Sequence, residues 1–253
     1  MNRRWVMSCS VVAFVAVVVL PVVTSAQSVP QNARDLSGVW EASSGPRRSI
    51  AEGSDAAPAM TPSGKARFDA NKPSYGPRAI PPALGNDPIG DCNPLGVPRI
   101  LLAERPMEFI QLPGRVLQFI ERPQMWRTIW TDGRKLPEDP DPMWYGYSVG
   151  RWEGDTLVVE TIAVDERTWL DQFGYPHSGE MRLQERWRRV NRDTLELKMT
   201  IDDPKTYTRP VTVQPKTFKL QPKEELRSEP CAPVEEESFN RRIRNPAAGL
   251  TGK

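Results

Sequence analysis

The sequence predicts an all-β fold in which an antiparallel meander closes into a barrel or a strongly curved sheet. From residue 107 onwards, short apolar runs alternate with turn dipeptides such as Asp132-Gly133. In two of these runs every second residue lies on one predicted inner face, as in strands with one buried side. The inner residues are Met181, Leu183, Glu185 and Trp187 in 181–189, and Leu195, Leu197, Met199 and Ile201 in 194–201. Helical segments do not alternate with the runs, so we expect antiparallel strands rather than strands joined by crossover helices.

About nine strands follow from these runs, most of them neighbours in the sequence. We place them at 36–41, 107–112, 116–121, 125–131, 144–153, 156–162, 181–190, 194–202, 207–213 and 217–220, the last two ranges being one strand or two. A meander with one water-facing side closes most naturally into a barrel.

The N-terminus has the features of a secretion signal. Arg3 and Arg4 precede an apolar run that ends at Leu20, and small residues follow up to Ala26. We therefore predict a signal peptide over residues 1–26 and a periplasmic or secreted location. The alternative is an uncleaved membrane anchor, although the apolar run is shorter than the roughly 20 residues that a spanning helix needs.

The predicted cleavage changes the charge balance of the chain. The full sequence holds 34 Lys and Arg residues against 32 Asp and Glu residues, and the segment before Gln27 contributes two of the cations and no acid. The predicted mature chain therefore has 32 residues of each sign, which argues against a nucleic-acid partner because such proteins need a basic surface. We expect residues 27–253 to form a single β domain without a membrane span.

Two cysteines remain after the predicted cleavage, Cys92 and Cys231. An exported chain meets an oxidising compartment, so we predict a disulfide between them. The alternative is a pair of unrelated free thiols, and the distant spacing matches no zinc pattern. The bridge would tie the proline-rich region to the C-terminal tail.

Residues 42–99 differ in composition from the rest of the chain, because they are rich in Pro, Gly, Ala and Ser. Thr61 and Pro62 have the pattern of an N-cap followed by proline in the first turn, which predicts a short helix at about 62–71. The prolines that follow exclude long helices and central strands. We interpret this region as an extended arm over the domain, with a disordered linker as the alternative. The β meander then covers 100–222 and a tail covers 223–253.

Five runs of the chain resemble a family of exported bacterial proteins of unassigned function. They are 35–40 (DLSGVW), 68–82 (FDANKPSYGPRAIPP), 126–134 (WRTIWTDGR), 144–160 (WYGYSVGRWEGDTLVVE) and 168–178 (TWLDQFGYPHS). This resemblance implies export and no particular reaction. Gly38-Val39-Trp40 is also similar to the opening of lipocalins, where the tryptophan closes one end of the barrel. That similarity implies a lipocalin-like barrel.

The chain has one histidine, His177, in a segment between two predicted strands. Asp171 and Glu180 lie nearby in the sequence, and a histidine beside a carboxylate can act as a general base. One hypothesis is therefore a hydrolase or lyase with His177, Asp171 and Glu180 as catalytic residues. The alternative is a structural histidine. No metal-ligand spacing and no cofactor fingerprint is present in the sequence.

Several residues are candidates for a ligand site inside the barrel. Glu185 shares a strand face with Leu183 and is predicted inside, where a carboxylate needs a partner. Arg127 shares a face with Ile129 and Glu160 with Val158, so we expect an interior Arg–Glu pair. The candidate aromatic residues are Trp144, Tyr147, Trp152 and Trp187. On strand 144–153, small residues between two tryptophans predict a trough, which is either filled by neighbouring side chains or a floor for a flat ligand. The alternative interpretation of these charged residues is a structural ion pair.

These observations leave three functional hypotheses. The first is an exported protein that binds a small apolar or aromatic ligand in a barrel, the second is the hydrolase or lyase, and the third is an envelope protein whose proline-rich arm docks on a partner. An aromatic-lined cavity at Arg127, Glu160 or Glu185 would favour the first. Convergence of His177 with carboxylates in an open cleft would favour the second, and a filled barrel with an exposed apolar arm would favour the third. The sequence carries no signal for an oligomeric state.

Overall fold

Nine strands form a closed barrel in the computed structural model of the chain. They are β1 (Gly38–Ala42), β2 (Met107–Leu112), β3 (Arg115–Ile120), β4 (Met125–Trp130), β5 (Tyr147–Glu153), β6 (Thr156–Ile162), β7 (Arg182–Asn191), β8 (Thr194–Asp202) and β9 (Val211–Leu220). The predicted all-β barrel is confirmed.

The structure describes residues 32–43, 48–53, 56–103, 105–121, 124–227, 231, 237 and 239–250. The predicted signal peptide, residues 1–26, lies outside the described residues and stays a prediction. Within the described part of the chain, none of the helices combines the length and apolar character needed to cross a bilayer.

Strand β1 closes the barrel because it pairs with both β2 and β9. Trp40 lies opposite Met107 on one side and Leu220 on the other, and its side chain is fully buried. The indole Nε1 donates a hydrogen bond to the Leu36 carbonyl at 2.8 Å. Gly38-Val39-Trp40 thus lies where the two ends of the sheet meet.

One strand pair departs from the antiparallel expectation. β4 and β5 are parallel, and only Ile129 with Ser148 and Trp130 with Val149 are paired. A tight turn can join only antiparallel neighbours, whereas residues 131–146 are long enough to return the chain to the other end of the barrel. β5 therefore begins at Tyr147 rather than at residue 144, after a turn in which Gly146 adopts a positive φ of 64°.

In place of the predicted ranges 207–213 and 217–220, the structure has a single strand, β9, with a loop before it. The register between β8 and β9 shifts between Leu197 and Met199, opposite Pro215. Proline has no N–H for the sheet ladder, and an irregularity at this point keeps the strand continuous. Tyr207 lies in the preceding loop, where its buried hydroxyl donates to the Pro176 carbonyl at 2.8 Å.

The proline-rich arm contains short helices, as expected. Helix α1 (Pro62–Ala70) is capped by Thr61, whose hydroxyl accepts from the Gly64 N–H at 3.1 Å. Two single turns of 3₁₀ helix follow at Pro82–Leu84 and Pro88–Asp91, and then the buried helix α2 (Arg99–Leu102). Near the C-terminus, one π-helical turn (Asn240–Arg244) leads into α3 (Asn245–Ala247).

A disulfide joins Cys92 in the arm to Cys231 near the C-terminus, with 5.6 Å between the two Cα atoms. This confirms the predicted bridge. Disulfides of this kind are typical of proteins that mature in an oxidising compartment.

Candidate functional site

The barrel interior contains a charged pair. The Arg127 guanidinium donates to both carboxylate oxygens of Glu185, at 2.8 and 2.5 Å, and both side chains are buried. Arg127 Nε also donates to Gln118 Oε1 at 2.6 Å, and Trp187 Nε1 donates to Glu185 Oε2 at 2.9 Å. Arg127, Glu185 and Trp187 therefore lie inside, as the strand alternation predicts. The prediction missed Gln118, although its alternation with Val116 and Ile120 signals an inward side chain.

Aromatic rings pack around Trp187, which donates to this pair. The Trp187 ring lies 5.1 Å from that of Phe109 and 5.7 Å from that of Phe218, measured between centroids. All three rings are buried to within one per cent of their surface. These rings and the paired charges form a packed core. The barrel interior therefore serves as a rigid scaffold.

The trough predicted on β5 is occupied by neighbouring side chains. A Cβ added to Gly150 would lie 2.9 Å from Ile129 Cγ2 and 3.1 Å from Leu157 Cδ1. The tryptophans at its two ends, Trp144 and Trp152, are partly buried and pack against the core. These contacts agree with the alternative in which side chains fill the trough.

Two of the predicted ligand residues lie on the outer surface of the barrel. Glu160 accepts from Arg151 at 2.8 Å in an exposed ion pair, and the Tyr147 hydroxyl accepts from Arg134 at 3.2 Å. The structure therefore separates Glu160 from Arg127 and Glu185. Glu160 lies outside the barrel, whereas Arg127 and Glu185 lie inside it.

His177 is completely buried in the connection between β6 and β7. Its Nε2 is 2.8 Å from the Thr168 hydroxyl and its Nδ1 is 3.0 Å from the Ser178 carbonyl. Burial lowers the pKa of His177, so the ring is neutral in the folded protein. Both ring nitrogens have partners within the protein, as expected of a structural histidine.

Asp171 and Glu180 do not join His177 in one site. Asp171 is buried and accepts from the backbone N–H groups of Ile50 (2.9 Å), Phe173 (2.9 Å) and Tyr175 (3.2 Å), while burial raises its pKa to about 6. Glu180 forms an exposed ion pair with Lys205 at 2.5 Å. The three predicted catalytic residues thus occupy three separate environments. Among the described residues, no three His, Cys, Asp or Glu side chains are grouped to hold a metal ion.

A cleft of about 320 Å³ lies in the cap, the structure that covers the barrel end where β6 connects to β7 and β8 to β9. We call it the cap cleft, and it is lined by Ser49, Ala51, Glu52, Phe68, Pro77, Arg78, Phe173 and Tyr175. These residues come from three parts of the chain: the segment after β1, the arm with α1, and the β6–β7 connection. Its walls are mainly aromatic and apolar.

Arg78 holds two walls of the cap cleft together. Its Nη1 donates to the carbonyls of Phe68 (2.7 Å) and Asn71 (3.3 Å), and its Nη2 donates to that of Phe173 (3.3 Å). The guanidinium also lies over the Phe68 ring, 3.6 Å from its centroid, which is a favourable cation–π contact. Asn71 adds a bond from Nδ2 to the Gly174 carbonyl at 2.9 Å.

Aromatic packing completes the cap cleft. The rings of Phe68 and Tyr175 are 4.7 Å apart at an angle of 38°. Gly76 has a positive φ of 81°, and a Cβ there would lie 2.7 Å from the Phe173 ring. The arm can pass so close to Phe173 only because this position is glycine. Asp171 fixes the third wall, because its bond from Ile50 N–H ties the segment after β1 to the β6–β7 connection.

Two segments of the chain, 68–82 and 168–178, meet in the cap cleft through Phe68, Arg78, Phe173 and Tyr175. No sequence pattern predicted a site here. Comparisons with protein-family models, with curated proteins and with solved structures gave no match.

Proposed function

We propose that this protein binds a small, flat, mainly apolar molecule in the cap cleft, and that the barrel serves as the rigid scaffold for that site. The observation that carries the proposal is a cleft of about 320 Å³ that the rings of Phe68, Phe173 and Tyr175 line. Small-molecule sites usually start at about 300 Å³ and combine apolar walls with a few polar groups.

The composition of the cap cleft supports a flat ligand. Phe173 and Tyr175 offer aromatic surface beside Phe68, whose ring already contacts Arg78 and Tyr175. Ala51 and Pro77 are the apolar lining residues next to them. Ser49, Glu52 and Arg78 supply the polar groups that would fix the orientation of a bound molecule. The walls are also held in advance by Arg78 and Asp171, so binding would cost little ordering of the protein.

The barrel interior is a weaker candidate for the ligand. Its charges are already paired with each other, and its aromatic rings are packed against one another. Entry of a ligand would separate the buried ions, which is costly.

We also propose that the protein works outside the cytoplasm. The disulfide between Cys92 and Cys231 supports this location, because cytoplasmic thiols are normally kept reduced. Detection of the protein in the periplasmic or extracellular fraction with residues 1–26 removed would establish it.

The cap cleft can be tested by filling it. A library of small aromatic and aliphatic molecules is screened against the protein by thermal shift, and affinities of the hits are measured by calorimetry. Ala51→Leu places a larger side chain in the cleft, and we expect it to weaken binding about tenfold or more by steric exclusion. The matched control is Ala66→Leu, because Ala66 is exposed on α1 and does not line the cleft.

Two results would contradict the proposal. One is a library without any ligand that raises the melting temperature. The other is a ligand whose affinity is the same for the wild type, Ala51→Leu and Ala66→Leu.

A further inference from the structure

The outer surface of the barrel has one apolar wall, on β2, β3 and β4. Three of its side chains are among the exposed large apolar residues of the described chain: Ile110 at 36%, Leu112 at 39% and Trp126 at 63% of their surface. We call this surface the outer patch, and it consists of Glu108, Ile110, Leu112, Arg115, Leu117, Phe119, Trp126, Thr128 and Trp130.

Strand register makes the outer patch continuous. One row runs from Glu108 through Phe119 to Trp126, and the Phe119 and Trp126 rings are 6.4 Å apart. The next row runs from Ile110 through Leu117 to Thr128, and the third from Leu112 through Arg115 to Trp130. Neighbouring strands are about 4.8 Å apart, so the rows form one surface three strands wide.

Another wall of the same barrel is strongly polar. The outward side chains of β7 include Arg182, Gln184, Arg186 and Arg188, and those of β8 include Glu196 and Lys198. A water-facing wall is normally of this kind, because an antiparallel sheet places polar residues on its solvated side. Contiguous exposed apolar surface marks an interaction site. We therefore expect a partner molecule on the outer patch, whereas the polar β7–β8 wall can face water.

The charges of the outer patch indicate what covers it. Glu108 and Arg115 lie at opposite ends of the patch, about 13 Å apart along the strands at 3.4 Å per residue. Within the described part of the chain neither forms a salt bridge, and Arg115 only approaches the Trp130 ring at 6.0 Å. One apolar surface with an acid at one end and a base at the other is complementary to itself after reversal.

We propose that the outer patch is the interface between two copies of this chain. A two-fold axis that lies in the interface and crosses the strands reverses the strand direction of the second copy. Glu108 of each copy then approaches Arg115 of the other, Ile110 and Leu117 pack in the central row, and Trp126 faces Trp130 of the other copy. Each interface contains this charge pair twice, as two-fold symmetry requires.

Charge reversal tests the proposal. The whole 253-residue chain is expressed, and the purified protein is studied by sedimentation equilibrium over a range of concentrations. We expect a dimer for the wild type. Glu108→Arg alone and Arg115→Glu alone place like charges together twice per interface, so each should raise the dimer dissociation constant by about tenfold or more. The double variant restores opposite charges and should return the constant to near the wild-type value.

Two further variants separate the interface from the fold. Trp126→Ala should also weaken the dimer about tenfold, because exposed aromatic side chains often carry much of an interface's energy. Met143→Ala, a truncation at an exposed apolar residue outside the outer patch, should leave the constant unchanged. A wild-type protein that stays monomeric at all soluble concentrations, or a double variant no better than the singles, would overturn the proposal.

Discussion

At the scale of single residues, Arg127 and Glu185 place two opposite charges inside the barrel. Each would be expensive to bury alone, and each is satisfied by the other together with Gln118 or Trp187. The pair is not evidence of extra stability, because two apolar residues of similar volume can serve as well. Its main effect is a penalty for any change that removes one partner.

We expect Glu185→Gln to lower the free energy of unfolding by about 3–5 kcal/mol, because it leaves Arg127 buried without a counter-ion. The variant retains an oxygen that can accept from Trp187 Nε1. Adding Arg127→Met to Glu185→Gln removes the orphaned charge and should recover much of the loss. Urea denaturation measures both variants, and a double variant less stable than the single one would refute this reasoning.

His177 predicts a pH dependence. Burial lowers its pKa in the folded protein, whereas the unfolded chain takes up a proton below about pH 6.5. The folded state is therefore favoured above this pH, and the contribution of His177 to stability is lost as the pH falls below it. Asp171 acts in the opposite direction, because burial raises its pKa to about 6 and ionisation opposes folding as the pH rises towards that value.

The effect of His177 is isolated by comparison with His177→Gln. Between pH 7 and pH 5, the free energy of unfolding of the wild type should fall more steeply than that of the variant. Denaturation curves at several pH values measure the two slopes. Equal slopes would show that His177 does not have to be neutral in the fold.

At the scale of elements, strict alternation made β7 and β8 predictable. β8 has an apolar residue at every second position, and in β7 Leu183 and Trp187 lie on the same face as Glu185, so each strand has one side that points inward. The beginning of β5 was not predictable in this way, because it depends on tertiary proximity: Gly146 has a positive φ, and a Cβ there would lie 2.4 Å from the Ile162 carbonyl oxygen. The parallel pairing of β4 and β5 likewise depends on the path of residues 131–146, which no local pattern records.

Contacts between strands also explain why Glu160 lies outside the barrel. Glu160 shares a face with Val158, and Val158 is buried, yet that face is the outer one. The long side chains of its cross-strand neighbours Arg151 and Arg186, both paired with Glu153, lie beside Val158 on the outside. Burial can therefore come from charged neighbours as well as from the core.

The cap cleft could not be predicted from sequence periodicity. Its walls come from positions 49–52, 68–78 and 173–175, which lie in loops and a short helix. None of these segments has a period that indicates a facing direction. Their contacts through Arg78 and Asp171 exist only in the folded chain.

At the scale of the whole molecule, the disulfide between Cys92 and Cys231 spans 139 residues of sequence. Chain-entropy arguments assign about 4–5 kcal/mol to the closure of so long a loop, as an upper value. We expect the double variant Cys92→Ser, Cys231→Ser to have a lower melting temperature than the oxidised wild type. Reductant should lower the wild-type value towards that of the variant and leave the variant unchanged. Equal melting temperatures for oxidised and reduced protein would contradict this prediction.

The position of that bond also gives the chain an unusual covalent outline. Eight of the nine strands, β2 to β9, lie between the two cysteines, and only β1 lies outside. A protease that cuts any single connection between those strands, such as residues 131–146, opens a ring without releasing a fragment. The nicked protein would still migrate as one molecule until its disulfide is reduced. In an extracellular setting, this fold can lose a peptide bond in a loop and keep its barrel strands together.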